Sequence, residues 1–162
     1  MHSYYNGVIR IGDIDIIVST LWSRIPLGEA YFTEQVVSDF HRILYKGELL
    51  TFADFNHEHE RCLSFIKEAV KSSTARKKVV VTHHVPSFRM QCPKFVSSKA
   101  NGAFMVELEG YIKECGVDYW IYGHSHYNVD MRIGETWCVS NQLGYVFHDE
   151  HLTFNPGKTF EL

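Results

Sequence analysis

The sequence predicts an α/β domain whose sheet contains at least two parallel strands. Two short apolar runs, residues 79–82 and 117–122, have the length and the β-branched or aromatic content of buried strands. A long helical pattern over residues 51–72 precedes the first run, and a second helical pattern over residues 103–115 separates the two. Strands and helices alternating in this order predict a parallel pair joined by a right-handed crossover.

Length and composition indicate one globular domain. The chain has 162 residues, of which 45% are hydrophobic and 14% aromatic, so it can bury a core of its own. Its formal net charge is -3, which argues against a dedicated surface for nucleic acids or anionic membranes. The basic run Arg76-Lys77-Lys78 precedes a strand and is interpreted as a solvated connection.

The sequence contains no recognisable targeting signal. No apolar run reaches the roughly 18 residues of a membrane span, and residues 1–7 lack the charged and apolar regions of a signal peptide. We therefore expect neither feature. The cysteines form no CxxC pair and are predicted to be small buried thiols, which favours a reducing, cytoplasmic setting: Cys62, Cys92, Cys115 and Cys138.

The first part of the chain predicts a hairpin and then a less regular segment. Residues 8–11 and 14–18 flank Gly12-Asp13, a two-residue turn of a type that favours hairpins. Residues 28–45 are expected to form a looser, partly helical segment. Residues 46–48 indicate a break before the long helix.

The helix over residues 51–72 is the clearest element. Thr51 is predicted to cap it, with Asp54 as the partner in a capping box. Its apolar side chains recur at helical spacing: Phe52, Phe55, Cys62, Leu63, Ile66, Ala69 and Val70. The helix leads into the strand at residues 78–82.

The second half of the chain alternates loops with short elements. The long loop over residues 85–102 is expected to be functional or mobile because of its length. The helix over residues 103–115 should end at Gly116. Residues 129–133 and 136–140 predict a further hairpin, and the tail is expected to contain short strands and loops.

Two histidine motifs follow the two central strands directly. Val79-Val80-Val81-Thr82 leads into His83-His84, and Tyr119-Trp120-Ile121-Tyr122-Gly123 leads into His124-Ser125-His126. In a parallel sheet, ligands bind beyond the carboxyl ends of the strands. Because imidazole is a common ligand of transition metals, the two motifs predict a metal site at this edge.

The local backbone decides how many of these imidazoles face one site. In extended backbone His124 and His126 point the same way, whereas a turn after Gly123 would direct them onto adjacent metals. His83 and His84 are neighbours, so their side chains diverge. One of them can bind a metal while the other orients a phosphate or a water. For His84 a supporting role in the loop is an equally good interpretation.

Other polar residues receive plainer interpretations. His57 and His59 lie two apart on the long helix and are interpreted as parts of a solvated face. Asp13 is interpreted as a turn residue and Asp15 as an outward-facing strand residue, neither of them a bridging metal ligand. A serine or cysteine nucleophile is not expected, because GxSxG is absent and Ser125 has no identified acid partner.

The histidine motifs resemble those of a known enzyme family. Thr82-His83-His84-Val85-Pro86-Ser87 and Tyr122-Gly123-His124-Ser125-His126 are similar to the last two metal motifs of calcineurin-like metallophosphoesterases. Ser19-Thr20-Leu21-Trp22-Ser23 resembles a strand-end segment after the third motif in a bacterial branch of the family. Ser140-Asn141-Gln142-Leu143-Gly144-Tyr145 resembles the segment after the GHxH motif. The resemblance extends from about Val8 to Phe154.

This resemblance implies a fold, a reaction and a set of ligands. The family fold is a β-sandwich flanked by helices, of which residues 1–162 would form a partial domain, its C-terminal half. His83 and His124 would bind one metal, His126 a second metal, and His84 would help to bind phosphate. Family members use Mn, Fe or Zn ions that hold a hydroxide between them, and this hydroxide attacks phosphorus in line. The expected activity is hydrolysis of phosphate mono- or diesters.

The chain departs from the family in its early motifs. DxH, GDxxD and GNH(D/E), which supply carboxylates and the bridging aspartate, do not occur in the sequence. Two divalent ions about 3.5–4 Å apart repel each other strongly without a bridging anion. The chain alone is therefore expected to bind at most one divalent metal ion and to show low or no turnover.

Several interpretations stay open at this point. The chain is an impaired phosphoesterase with a phosphate-ester substrate, or a non-catalytic metal-binding or regulatory module derived from the family. A structural α/β domain without metal is weaker, because it leaves both histidine motifs unexplained. The missing half of the sheet would expose an edge strand and an apolar face, so a homo-oligomer, most simply a two-fold dimer, is expected.

Overall fold

The computed structural model describes residues 5–162. His2, for which the sequence shows no partner pattern, and the start of the segment tested for a signal peptide lie outside the described residues. The strands, in chain order, are β1 (Asn6–Ile11), β2 (Ile14–Ser19), β3 (Leu44–Tyr45), β4 (Glu48–Leu49), β5 (Lys77–Thr82), β6 (Tyr119–Tyr122), β7 (Met131–Ile133) and β8 (Thr136–Ser140). The α-helices are α1 (Leu27–Val36), α2 (Asp39–Arg42), α3 (Phe52–Ser72) and α4 (Glu109–Glu114).

A six-stranded mixed sheet in the order β1-β2-β5-β6-β8-β7 organises this α/β fold. The central strands β2, β5, β6 and β8 are parallel, and the outermost strands, β1 and β7, are antiparallel to their neighbours. The predicted parallel pair is confirmed, with Val79 opposite Tyr119 and Val81 opposite Ile121. The carboxyl ends of β5 and β6 therefore lie side by side, and both histidine motifs begin at the same edge of the sheet.

Both predicted hairpins are confirmed. β1 and β2 join through Gly12, and β7 and β8 join through Gly134, each glycine with a φ of 59°. Two-residue hairpin turns require such left-handed backbone, which glycine adopts without steric cost. β6 and β7 begin later than predicted, at Tyr119 and Met131.

Helix α3 covers one face of the sheet, and its predicted cap is confirmed. Thr51 Oγ1 accepts a hydrogen bond from the Asp54 N–H at 3.2 Å, and the Asp54 carboxylate accepts one from the Thr51 N–H at 3.2 Å. The apolar stripe of α3, which includes Ile66, packs against Ile17 and Trp120 in the main core. The helix therefore begins and is oriented as its sequence pattern indicates.

The segment between β2 and α3 is looser, as predicted. It contains the short helices α1 and α2 and the small antiparallel hairpin of β3 and β4, whose turn lies at the predicted break. Phe40 and Phe55 anchor this segment in a second core cluster. In contrast, α1 leaves Leu27 and Tyr31 each 79% exposed, so residues 5–162 do not cover one of its apolar faces.

The helix predicted over residues 103–115 is wrong in its first part, because only Glu109–Glu114 is helical. Val85 N–H donates to the Phe104 carbonyl at 3.1 Å, and Val106 N–H donates to the Val85 carbonyl at 3.0 Å. This parallel bridge, in which Val85 faces Met105, uses the backbone groups that the helix would have needed. The extended backbone also places Phe104 beside the histidine motifs.

Two further expectations are wrong. The tail forms 3-10 turns at Val146–His148 and Glu150–Thr153 where short strands were expected. Asp15 does not face outward: it is 3% exposed, and Arg10 and Ser73 donate to its carboxylate. The hydrogen bond from Arg10, with a further one from Ser73, lowers the pKa of this carboxyl below its ordinary value. Asp15 thus ties the first hairpin to the end of α3.

The cysteine prediction is largely confirmed. All four thiols are free, and Cys62, Cys92 and Cys138 are buried while Cys115 is half-buried. Within residues 5–162, none of the helices has the length and hydropathy of a membrane span.

Candidate functional site

The two histidines after β5 leave the sheet through a hydrogen-bonded turn. Thr82 Oγ1 donates to the His84 carbonyl at 3.0 Å, and the His84 N–H donates to the Thr20 carbonyl at 3.2 Å. His83 is exposed, whereas His84 is only 2% exposed. His84 Nδ1 lies 2.9 Å from Ser23 Oγ. Its burial favours the supporting role, one of the two that the sequence left open.

His124 joins these two rings from the end of β6. The Gly123 N–H donates to the His83 carbonyl at 3.1 Å, which draws the two strand ends together. His124 follows with a φ of 71°, and its ring centroid lies 4.5 Å from that of His83 and 4.4 Å from that of His84. Phe104 stacks on His124 at 4.8 Å. The structure thus brings together three of the four residues that the sequence predicts for the site.

The environment keeps these three imidazoles neutral at pH 7. Burial lowers the pKa of His84 well below its ordinary value, and the nearby His124 and His83 lower it further. Burial also lowers the pKa of His124 to about 4, and electrostatic repulsion from the neighbouring His83 contributes to this shift. Desolvation lowers the pKa of His83, although the negative charge of Asp39 opposes this shift. Neutral imidazole has the free lone pair that a metal ion needs.

His126 contacts the tail and not this group of rings. The φ values of His124 and His126, 71° and 49°, show a turn at this point, so the extended-backbone alternative is wrong. His126 Nδ1 lies 2.8 Å from Glu150 Oε2, and the Tyr145 ring packs edge-on against it at 4.7 Å. Burial alone would raise the pKa of Glu150, but hydrogen bonds from the Tyr145 N–H and His126 lower it below its ordinary value.

A cavity of about 530 Å³ opens beside His124 and His126. Two carboxylates, Asp39 from α2 and Glu150 from the tail, also line it, and among the described residues its lining includes neither lysine nor arginine. Neither carboxylate was predicted from the sequence. No motif marks them, because each reaches the site from a segment far from the histidines in sequence and follows no strand of the sheet.

The kinds of donor atom at this site suit a metal ion, whereas the positions of these atoms do not surround one point. Neutral imidazoles and carboxylates are suitable ligands for one divalent ion, and the structure supplies both kinds at one edge of the sheet. However, in residues 5–162 no group of three or more His, Cys, Asp or Glu side chains is arranged to hold a metal. An ion would therefore have to draw side chains together, and the described donors fit one ion better than two.

His59, expected on a solvated face, instead supports the site from α3. It is 4% exposed, and its Nδ1 lies 3.2 Å from the Leu21 carbonyl and 3.1 Å from the Trp22 carbonyl. Leu21 and Trp22 have positive φ values of 67° and 48°, so His59 holds an unusual turn. That turn places the ring centroid of Trp22 5.6 Å from that of His84. It also brings Ser23 Oγ within hydrogen-bond distance of His84 Nδ1. The sequence interpretation was right for His57, which is exposed.

The chain is similar to a viral protein of greater length. It is 28% identical to "Uncharacterized protein L509" of Acanthamoeba polyphaga mimivirus over an alignment of 162 residues, which covers 93% of this chain and 56% of the viral protein. The chain thus spans little more than half the length of this relative. No model of a known protein family matches the chain. The name of the viral protein assigns it no activity.

Proposed function

We propose that the chain is the C-terminal part of a calcineurin-like metallophosphoesterase domain, whose reaction is hydrolysis of phosphate mono- or diesters. One observation carries this proposal: His83, His84 and His124 contact one another where two adjacent parallel strands end. Burial lowers the pKa of His84 and His124, and the neighbouring imidazoles lower it further, so both rings stay neutral. Keeping their lone pairs free is what a metal site requires.

The charge of the cavity supports a metal-dependent reaction. Asp39 and Glu150 give the cavity negative charge, and no lysine or arginine of its lining offsets it. A phosphate ester would therefore be repelled until a cation had bound. By the resemblance His83 and His124 would hold one divalent ion, Mn, Fe or Zn, and His126 a second ion. For this chain alone we assign all three imidazoles to the one ion that it is expected to bind. When bound, such an ion supplies an acidified water and stabilises charge on the phosphoryl oxygens.

The residues of this chain have separate tasks in the proposal. His83 and His124 present neutral imidazoles, and Phe104, stacked on His124, limits the directions that its ring can take. His84 holds the position of His124 through ring contact and is itself held by Ser23. With the family's early carboxylate motifs missing, turnover by the chain alone should be low.

A non-catalytic metal-binding or regulatory module is the second candidate. The observation that favours it is the lack, within residues 5–162, of three potential ligands already arranged around one point. A site that binds one ion weakly and performs no hydrolysis would have this arrangement. Metal stoichiometry and turnover together distinguish the two candidates.

The proposed metal site predicts a loss of bound metal in one variant. After dialysis against Mn or Zn and removal of free ion, elemental mass spectrometry should find at most one metal per wild-type chain. His124→Ala should lose this metal, because it removes the imidazole that contacts both other rings. His57→Ala, at an exposed position of α3, is the matched control and should keep it.

Three results would change this assignment. Two tightly bound metals per chain, together with phosphodiesterase turnover that His124→Ala abolishes, would show that the chain is not impaired. One bound metal without turnover would favour the non-catalytic module. Unchanged metal content in the triple variant of His83, His124 and His126 would contradict the metal site.

Self-association is part of the proposal. β1 is an edge strand of the sheet, and α1 exposes Leu27 and Tyr31, each at 79%. Exposed sheet edges and apolar faces favour association, most simply as a two-fold dimer. Light scattering at micromolar concentration should give the mass of a dimer, and Leu27→Lys combined with Tyr31→Lys should shift it toward that of a monomer. A wild-type monomer across this range would contradict the prediction.

A cytoplasmic location belongs to the same proposal. A reducing compartment would keep thiols free, and all four cysteines of the chain are unpaired in the structure.

A further inference from the structure

Glu150 contacts the last histidine of the candidate site from a segment that the sequence analysis assigned no role. Its Oε2 atom lies 2.8 Å from His126 Nδ1 and also accepts a hydrogen bond from the Tyr145 N–H at 2.6 Å. The Tyr145 ring packs edge-on against His126 at 4.7 Å. One carboxylate oxygen therefore fixes both the imidazole and the backbone beside it.

Gly144 makes this approach sterically possible. An added Cβ at this position would lie 2.5 Å from Glu150 Cβ, 2.8 Å from Glu150 Oε2 and 3.1 Å from His126 Cβ. Its φ of 63° is also one that other residues rarely adopt. The contact between Glu150 and His126 depends on a glycine packed between them. It is therefore part of the folded structure and not a chance ion pair at the surface.

The backbone of His126 is held by the same part of the chain. Gln142 Oε1 accepts a hydrogen bond from the His126 N–H at 2.7 Å, and Gln142 Nε2 donates to the Tyr127 carbonyl at 3.1 Å. Asn128 in turn donates to the Gln142 carbonyl at 3.0 Å. The turn that carries His126 is thus positioned by residues 142–150 at both its main chain and its side chain.

A carboxylate on one imidazole nitrogen determines what the other nitrogen can do. A carboxylate only accepts hydrogen bonds, so its contact with Nδ1 places the proton there and leaves the lone pair on Nε2. Histidine ligands of metals usually have such a carboxylate or carbonyl partner, which fixes the tautomer and raises the basicity of the ligand.

We propose that Glu150 is the positioning residue of His126, and that it prepares Nε2 of this imidazole to bind a divalent metal ion. The inference rests on the proposed metal site and adds a residue to it that the sequence resemblance does not contain. It also gives a role to the tail turns at Val146–His148 and Glu150–Thr153, which bring Glu150 back to the histidine motif.

The test is zinc affinity of the complete chain, measured by calorimetric titration with Zn²⁺ alone. Glu150→Ala should weaken zinc binding about 10- to 100-fold, the usual effect of losing such a partner. Glu150→Gln should weaken it less, because its amide oxygen still accepts from Nδ1 but carries no charge. Gly144→Ala should weaken it as well, because the new methyl group displaces Glu150. Glu135→Ala, at a side chain 96% exposed, is the matched control.

The possible outcomes separate this inference from the proposed function. Each variant is first checked for an unchanged thermal unfolding midpoint without metal, and Glu150→Gln carries the test if Glu150→Ala does not fold. Wild-type affinity in Glu150→Ala and Gly144→Ala, with affinity lost in His124→Ala, would overturn the inference alone. Failure of the wild-type chain to bind zinc would overturn the proposed function and the inference with it.

Discussion

Lowering the pH from about 7 to about 4 is expected to destabilise the metal-free chain by several kcal/mol. The cause is the burial of His84 and His124 in a cluster with His83, which the fold holds in the neutral form. Burial lowers the pKa of His124 to about 4, and it lowers the pKa of His84 in the same direction. A histidine in the unfolded chain has a pKa of about 6.5.

The sign of the effect follows from proton uptake in the two states. Well above pH 6.5 neither state binds a proton at these residues, so the free energy of unfolding is at its full value. As the pH falls from there to about 4, the unfolded chain takes up protons that the folded chain excludes. Each pKa unit is worth about 1.4 kcal/mol, so His124 alone accounts for up to roughly 3 kcal/mol.

Urea unfolding in the presence of a chelator, repeated across this pH range, measures the effect. His124→Gln removes one of the imidazoles and should give a flatter dependence of the unfolding free energy on pH. His57→Gln, at an exposed position of α3, should leave the dependence as it is in the wild type. A wild-type slope in His124→Gln would show that other groups cause the acid sensitivity.

The features of the fold that could be predicted are those with local signals. Gly12 and Gly134 mark hairpin turns by their own conformational freedom, and Thr51 and Asp54 mark the start of α3 three residues apart. The parallel pairing of β5 and β6 followed from the order of the elements. In each case the information lies within a few neighbouring residues or in the sequence of elements.

The features that could not be predicted depend on distant contacts. Residues around Phe104 have a helical pattern, but pairing with Val85 outweighs that local preference. His59 has the sequence neighbours of a solvated helix face, yet the carbonyls of Leu21 and Trp22 hold it inside. Whether a polar side chain is buried is decided by what packs over it, which is information that a helical pattern does not contain.

The same division applies to the candidate site. The predicted histidines follow strands directly, and the sheet alone brings His83 and His124 together. Asp39 and Glu150 reach the cavity through a short helix and a tail turn, neither of which has a repeating pattern. Ligands attached to regular elements are therefore predictable from sequence, whereas those carried by irregular segments need the folded chain.

Trp120→Ala is expected to lower the free energy of unfolding by about 3–5 kcal/mol, the usual cost of removing a large aromatic side chain from a core. Trp120 is 0% exposed at the centre of β6. Its Nε1 donates to Thr82 Oγ1 at 3.0 Å, and the same Thr82 hydroxyl donates to the His84 carbonyl at 3.0 Å. The substitution therefore leaves a cavity and also loosens the turn that carries His83 and His84.

Urea denaturation of Trp120→Ala, Trp120→Phe and Trp137→Ala separates these contributions. Trp120→Phe keeps most of the ring but removes the donor to Thr82, which should cost about 1–3 kcal/mol because the two buried groups lose their pairing. Trp137 is 42% exposed beside Arg132, so its replacement by alanine should cost about 1 kcal/mol or less. Equal losses in Trp120→Ala and Trp137→Ala would contradict the assignment of Trp120 to the core. Because the indole hydrogen bond joins the core of the sheet to the turn that carries His83 and His84, stability and metal affinity should decrease together in Trp120→Ala.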